Sequence, residues 1–267
     1  MGKRYVTIPQ SKAYCFCPHR YYLSFVKKRT TRTPINVLLS EMTEIAYAEL
    51  LGMERKYLSD TTGASSIETA YSLLADAAIA HAISMKSRLL EDIDFEGIVS
   101  HIYCALQPEL ITMMKRSMET MEKRGVKGSE LALLCTHDPA LIDIRMVDHR
   151  NKISGTVPKV CMCRDRAFPL LTTTSLVTND GPDYYEYMAM EMAALLTASW
   201  AKKPVTMAAL YSLPAHFTYY HEISDFATQS VKSFVSCINE TKTYPALKMR
   251  CGICPFRNIC EYNADCY

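Results

Sequence analysis

Apolar and polar positions along this chain change their spacing near residue 125, and that change divides the sequence. Before it the pattern is helical. Pro18 to about Lys28 reads as a short helix that ends in the basic turn KKRTTRTP. Asn36 to Met53 predicts a second helix, and Ser65 to Leu90 a third, alanine-rich and opened by a capping-box-like Ser66-Ile-Glu-Thr. Residues 93 to 123 continue the helical period, with Met113, Met114, Met118 and Met121 on its inner face as core filler.

Gly125 and Gly128 open a stretch with a different texture. LALLCT, LIDIRMVD, TVPKVCMC and FPLLTTTSLVT are short, β-branched or alternating, and bounded by turn formers, so they predict three or four strands. Tyr184 to Trp200 carries few charges at helical period and predicts a largely buried helix. AALYSLPAH predicts a further strand, and Ile223 to Thr241 a last helix. No internal repeat or low-complexity linker interrupts the order. The expectation is one α/β domain over residues 1–267: a helical cap to residue 124, an α/β core over 125–241, and a cysteine-bearing tail over 242–267.

Composition narrows the class. With 267 residues, 49% hydrophobic and 22% charged, and a net charge of +2, the chain can bury a sizeable core and is neither disordered nor histone-like. No apolar run is long enough to span a membrane, and MGKRYVTIPQ lacks the apolar core of a signal peptide, which predicts a cytoplasmic protein. The small net charge conceals an asymmetry. Residues 1–40 hold eight basic side chains and no acidic one; Glu41 is the first carboxylate. Interleaved with Tyr14, Phe16, Tyr21, Tyr22 and Phe25, the basic residues Arg20, Lys27, Lys28, Arg29 and Arg32 are candidates to meet nucleic-acid phosphates beside stacking faces.

Eleven cysteines, an odd number without an export signal, argue for thiolate ligands over a disulfide framework. Cys15 and Cys17 lie near one end; Cys251, Cys254 and Cys260, with Cys266 trailing, lie at the other. Cys104, Cys135, Cys161, Cys163 and Cys237 sit among apolar neighbours and are assigned to packing. Cys251-x2-Cys254-x5-Cys260 supplies three thiolates, Gly252 and Pro255 favour a tight turn, and a fourth thiolate comes from Cys17 or Cys15. Such a set suits a tetrahedral zinc or an iron–sulfur cluster, and would tie the two ends of the chain together.

Tyr14-x2-Cys17-Pro18-x-Arg20-Tyr21-Tyr22-Leu23, followed far downstream by C-x2-C-x5-C, resembles the iron–sulfur branch of the RecB-type nucleases, and in particular the CRISPR-associated RecB-like exonucleases. The resemblance implies a restriction-endonuclease-like PD-(D/E)XK core and a [4Fe–4S] cluster on Cys17, Cys251, Cys254 and Cys260, with Cys15 left over. It also implies DNA, as single strands or ends, as the partner, and CRISPR integrase subunits as further partners in spacer acquisition.

That family hydrolyses phosphodiesters with Mg²⁺ or Mn²⁺ held by acidic groups beside a lysine. Here the pattern decays at each station. Glu44 follows Ser40-x3 where histidine is usual, Pro158 in Gly155-Thr156-Val157-Pro158 replaces the metal-binding aspartate, and Thr172 to Ser175 provide no acid-x-lysine pair. Tyr187-x3-Glu191 lacks the glutamine and tyrosine of the fourth station. A site rebuilt from Glu44, Asp165, Asp183 and Glu186, with Lys159 as its cation, would be an active Mg/Mn-dependent exonuclease. The leading expectation is instead a degenerate member that binds DNA without cutting it; a purely structural or protein-interaction module is the third.

Overall fold

The computed structural model describes residues 5–29, 34–90, 95–247 and 254–262. Its first elements were not expected from sequence: a two-residue strand β1 (Val6–Thr7) and a helix α1 (Ile8–Phe16). Thr7 starts α1 with a reciprocal cap, its hydroxyl accepting from the Gln10 N–H while Gln10 Oε1 accepts from the Thr7 N–H. The predicted helix at Pro18 is a short α2 (Pro18–Tyr21) running into a π-helical turn, Tyr22–Val26.

Four helices follow: α3 (Ile35–Leu58), α4 (Ala64–Lys86), α5 (Phe95–Arg124) and α6 (Gly128–Cys135). Ser66 is the third residue of α4 rather than its cap; its hydroxyl turns back to accept from the N–H groups of Thr62 and Gly63. LALLCT is helical, not a strand. Leu131, Ala132 and Cys135 are buried at helical spacing while Leu133 and Leu134 face outward, so an apolar run conceals the period.

The sheet is mixed and six-stranded. Strands β2 (Ile142–Asp148), β3 (Ile153–Met162) and β4 (Ala167–Thr173) form an antiparallel meander; α7 (Tyr184–Ala201) then crosses over so that β5 (Met207–Ser212) lies parallel to β4. Strand β6 (Phe217–Glu222) closes the edge antiparallel to β5, and β1 pairs parallel with the start of β3. A last helix, α8, spans Ala227–Glu240.

Two hydrophobic clusters share the sheet. Met190, Ala193 and Leu196 of α7 pack with Val157, Leu171, Ala208 and Leu210, joined by Ile8 and by Val231 and Val235 of α8. Leu50, Leu74, Ile102, Met113 and Leu131 tie α3 to α6 into the other cluster, against which Ile142 and Tyr211 pack. Successive residues of β5 therefore point to opposite sides, Leu210 to α7 and Tyr211 to the helical cap. Cap and core are continuous through the sheet. Met114, Met118 and Met121 pack on the cap cluster with Met113, as their spacing predicts. Among the described residues no helix is long and apolar enough to cross a membrane.

Candidate functional site

Two groups of predicted residues are brought together. The first lies where α1, α3, the end of β4 and the start of α7 meet. Glu186, in the first turn of α7, is 3% exposed. Its Oε1 accepts from the Thr173 hydroxyl at 3.2 Å, and Lys12 Nζ of α1 stands 2.6 Å from Oε2, an ion pair outside hydrogen-bond alignment. Glu44 of α3 neighbours both charges and takes a backbone N–H from Thr174. Burial is the main force on its carboxyl, which is pushed up to about 7; Lys12 opposes that rise and Glu186 adds to it.

Of the residues nominated from sequence for a rebuilt site, the structure brings two together. Glu44 and Glu186 converge. Asp165 is exposed on the turn between β3 and β4, and Asp183 is exposed ahead of α7. Lys159, expected to supply the cation, is elsewhere, 2.7 Å from His137 Nε2. The cation at the carboxylates is Lys12, a residue with no motif around it. Among the described residues no three His, Cys, Asp or Glu side chains form a group that could hold a metal ion. Lys12 pairs with Glu186, and Glu44 beside them is held toward its protonated form.

The second group lies at the two ends of the chain. Cys17, at the junction of α1 and α2, is buried, and together with Cys254 and Cys260 it lines one apolar pocket walled by Phe16, Leu23 and Phe256. The Leu247 N–H donates to Cys17 Sγ at 3.4 Å, and burial pushes the Cys254 thiol up. Cys251 lies outside the described residues. Thus three of the four predicted ligands line one pocket, and among the described residues they do not form a group that could hold a metal ion. Arg20 lies at this pocket, its guanidinium 4.7 Å from the centroid of the Phe16 ring, and burial lowers its pKa. It is half-buried at that pocket and not fully exposed. Lys27, Lys28 and Arg29 are exposed, Lys27 Nζ standing 5.5 Å from the Tyr22 ring; Arg32 lies outside the described residues.

His19 also lines the cysteine pocket and was not singled out by motif. It is 3% exposed, Nδ1 meets the Tyr244 carbonyl at 3.1 Å, and among the described residues Nε2 has no hydrogen-bond partner, with the exposed Glu261 carboxylate 3.9 Å away. Around it, Tyr14, Tyr21, Tyr22, Phe25 and Tyr244 pack ring on ring, with Tyr22 and Tyr244 stacked at 4.9 Å. These aromatic residues hold the terminal segments together instead of offering free stacking faces. The cysteines assigned to packing divide: Cys135 is buried and Cys161 half-buried, whereas Cys104, Cys163 and Cys237 are exposed.

No protein-family model and no curated protein matches the chain. A solved structure described as "Crystal structure of SSO0001" is similar over 68% of this chain and 80% of that chain, at 12% identity and a TM-score of 0.34. A likeness that slight carries no inference about fold or function.

Proposed function

We propose that this protein is a catalytically degenerate relative of the iron–sulfur RecB-like nucleases, a PD-(D/E)XK scaffold that binds DNA without cutting it. Its setting in this reading is CRISPR spacer acquisition or related DNA processing, beside integrase subunits. The observation that carries the reading is the Lys12–Glu186 pair. In a PD-(D/E)XK frame, carboxylates at the end of the meander hold a divalent cation that polarises the phosphoryl oxygen and generates the attacking hydroxide. Here that place has Pro158 and a threonine strand, and the two remaining carboxylates face an ammonium. A primary ammonium offsets carboxylate charge and donates hydrogen bonds, but it is no Lewis acid and does not generate the attacking hydroxide that a divalent cation supplies. The order meander, crossover helix, parallel strand supports the scaffold assignment.

A [4Fe–4S] centre belongs to the same reading. The donor chemistry at the terminal pocket fits it: thiols of Cys17, Cys254 and Cys260, apolar walls, and an N–H directed at Cys17 Sγ. Cys17, Cys251, Cys254 and Cys260 would hold the group, and its contribution would be structural, clasping the terminal segments. Lys27, Lys28 and Arg29 extend beside that clasp as phosphate contacts.

The test uses anaerobically prepared full-length protein with single-stranded and end-bearing duplex DNA. Expected are a brown colour absorbing near roughly 400 nm, as for thiolate-ligated iron–sulfur clusters, salt-dependent DNA binding weakened by Lys27→Glu/Lys28→Glu, and no cleavage with Mn²⁺. Cleavage abolished by Glu44→Ala and Glu186→Ala would establish the exonuclease instead. Absence of DNA binding at low salt, with the centre intact, would favour an interaction module.

A further inference from the structure

The basic turn after α2 is held by two segments far apart in sequence. The π-helical turn Tyr22–Val26 closes with the Lys27 N–H donating to the Tyr22 carbonyl at 2.8 Å, and the Arg29 N–H donates to the Leu23 carbonyl at 2.8 Å. Between them Lys28 is left-handed, with φ +51°. That conformation costs a non-glycine residue free energy and persists only where surrounding contacts impose it. Leu23 supplies one such contact, because it is buried and lines the cysteine pocket. The backbone bearing Lys27, Lys28 and Arg29 is thus tied to a packed residue, while all three side chains are exposed.

Lys27 is fixed further through a ring. Its Nζ lies 5.5 Å from the centroid of the Tyr22 ring, within reach of a cation–π contact. Tyr22 in turn stacks on Tyr244, with centroids 4.9 Å apart and planes 19° from parallel. Tyr244 is anchored at two further atoms. Its hydroxyl donates to the Thr241 carbonyl at 3.1 Å, just beyond α8, and its own carbonyl meets His19 Nδ1 at 3.1 Å. Lys27, Tyr22 and Tyr244 therefore form a series of cation, ring and ring whose last member belongs to the segment after α8.

An exposed lysine otherwise samples many rotamers, and fixing it on a ligand costs entropy. A lysine already held over a ring has lost part of that freedom before the ligand arrives. Its ammonium has three N–H donors, so one side can meet the ring while another meets a phosphate oxygen.

We propose that Tyr22 and Tyr244 are positioning residues for the basic turn, pre-organising Lys27 to meet a backbone phosphate of a bound DNA strand. This role rests on the DNA-binding reading above, and it gives that reading two uncharged residues, one of them far in sequence from the basic segment.

The test is binding of a labelled single-stranded DNA to the full-length protein across a salt series, with thermal unfolding run alongside. Tyr244→Leu should weaken binding roughly two- to fivefold at fixed salt, the equivalent of one exposed cation–π contact. Tyr244→Phe, which keeps the ring, should bind like wild type. Lys27→Gln should lower the log–log salt slope by about 0.7, one phosphate contact on a single strand. The two losses should not add, so Lys27→Gln/Tyr244→Leu should bind like Lys27→Gln alone. A Tyr244 that only supported the fold would lower the melting temperature and leave the losses additive. If Tyr244→Leu folds poorly, Tyr22→Leu completes the same cycle with Lys27→Gln. Unchanged binding in Tyr244→Leu or Tyr22→Leu, or additive losses, with wild-type DNA binding intact, would overturn the positioning role and leave the DNA-binding reading standing. Absence of DNA binding by the wild-type protein at low salt would overturn that reading and the role together.

Discussion

If Lys12 is the resident cation of the Glu44–Glu186 cluster, replacing it with methionine should destabilise the protein and open the cluster to metal. At 2.6 Å, a unit-charge pair is worth about 6 kcal/mol at an effective dielectric constant near 20. Lys12 keeps 31% of its side-chain surface and Glu186 only 4%, so solvent screens one partner and hardly reaches the other. Removing one member of a buried pair costs about 3–5 kcal/mol, chiefly because the other charge stays desolvated; with Lys12 partly wet the expected loss is about 3 kcal/mol. For a domain of this size that is a fall in Tm of roughly 6–12 °C. Lys12→Arg, which keeps the charge, should recover more than half of it. The assay is thermal and urea unfolding at neutral pH, with and without Mn²⁺. Mn²⁺ should leave the wild-type protein unchanged and partly rescue Lys12→Met, since a ligand binding only the folded state raises its stability. A loss below about 0.5 kcal/mol in Lys12→Met, the range of ordinary surface substitutions, would refute the reasoning. So would Mn²⁺ stabilising wild type as strongly as the variant.

Three further outcomes follow from other sites. Because Glu44 holds its proton to about pH 7 when folded, against 4.5 ordinarily, the folded state binds a proton that the unfolded chain releases between those values. Stability should therefore fall as pH rises through that window, by at most about 3 kcal/mol, and Glu44→Gln should flatten the slope in urea titrations at several pH values. Tyr71 donates to Glu54 at 2.6 Å and meets the Ser117 hydroxyl at 2.9 Å, with Glu54 fully buried. Tyr71→Phe should cost about 2 kcal/mol of unfolding free energy. Gly181 has φ +95°, and a methyl group there would stand 2.2 Å from Tyr187 Oη. Gly181→Ala should cost about 1–3 kcal/mol and disturb the 2.9 Å Tyr187–Tyr219 bond that pushes Tyr187 up to about 12, so a tyrosine absorbance titration should show one phenol returning toward 10.

Elements whose burial is one-sided were legible in sequence. Helices α3, α4 and α5 present apolar stripes at helical spacing, and α7 declares itself by length with few charges. Strand β6 escaped because FTYYHE is an edge strand without a fully buried residue, so it lacks the alternation that marks a half-buried strand. Its aromatic and β-branched content, next to the short turn after β5, was the available signal. Helix α1 escaped for a related reason: Ile8, Ser11 and Ala13 are its buried positions, and two of them are small or polar, so hydropathy traces no stripe. The Thr7-x2-Gln10 box was the mark that would have exposed it.

The sites divide along the same physical line. The cysteines could be nominated because their spacing within one turn is local, and the structure places Cys17, Cys254 and Cys260 around one pocket. Glu44 and Glu186 could be nominated because they stand near expected stations of a motif. Which cation answers them is a matter of long-range packing. Lys12 lies between Ser11 and Ala13 and Lys159 between Pro158 and Val160, and nothing local distinguishes the one that reaches Glu186 from the one that reaches His137. The difference arises from the sheet: β1 pairs with the start of β3 and so lays α1 against α7, which delivers Lys12 to the head of that helix. In the nuclease-like reading proposed above, an active-site lysine would be carried on the strand beside its acid. Here the strand holds threonines and the lysine arrives from another element, so it can neutralise the carboxylates without standing in the strand position where it would orient a water.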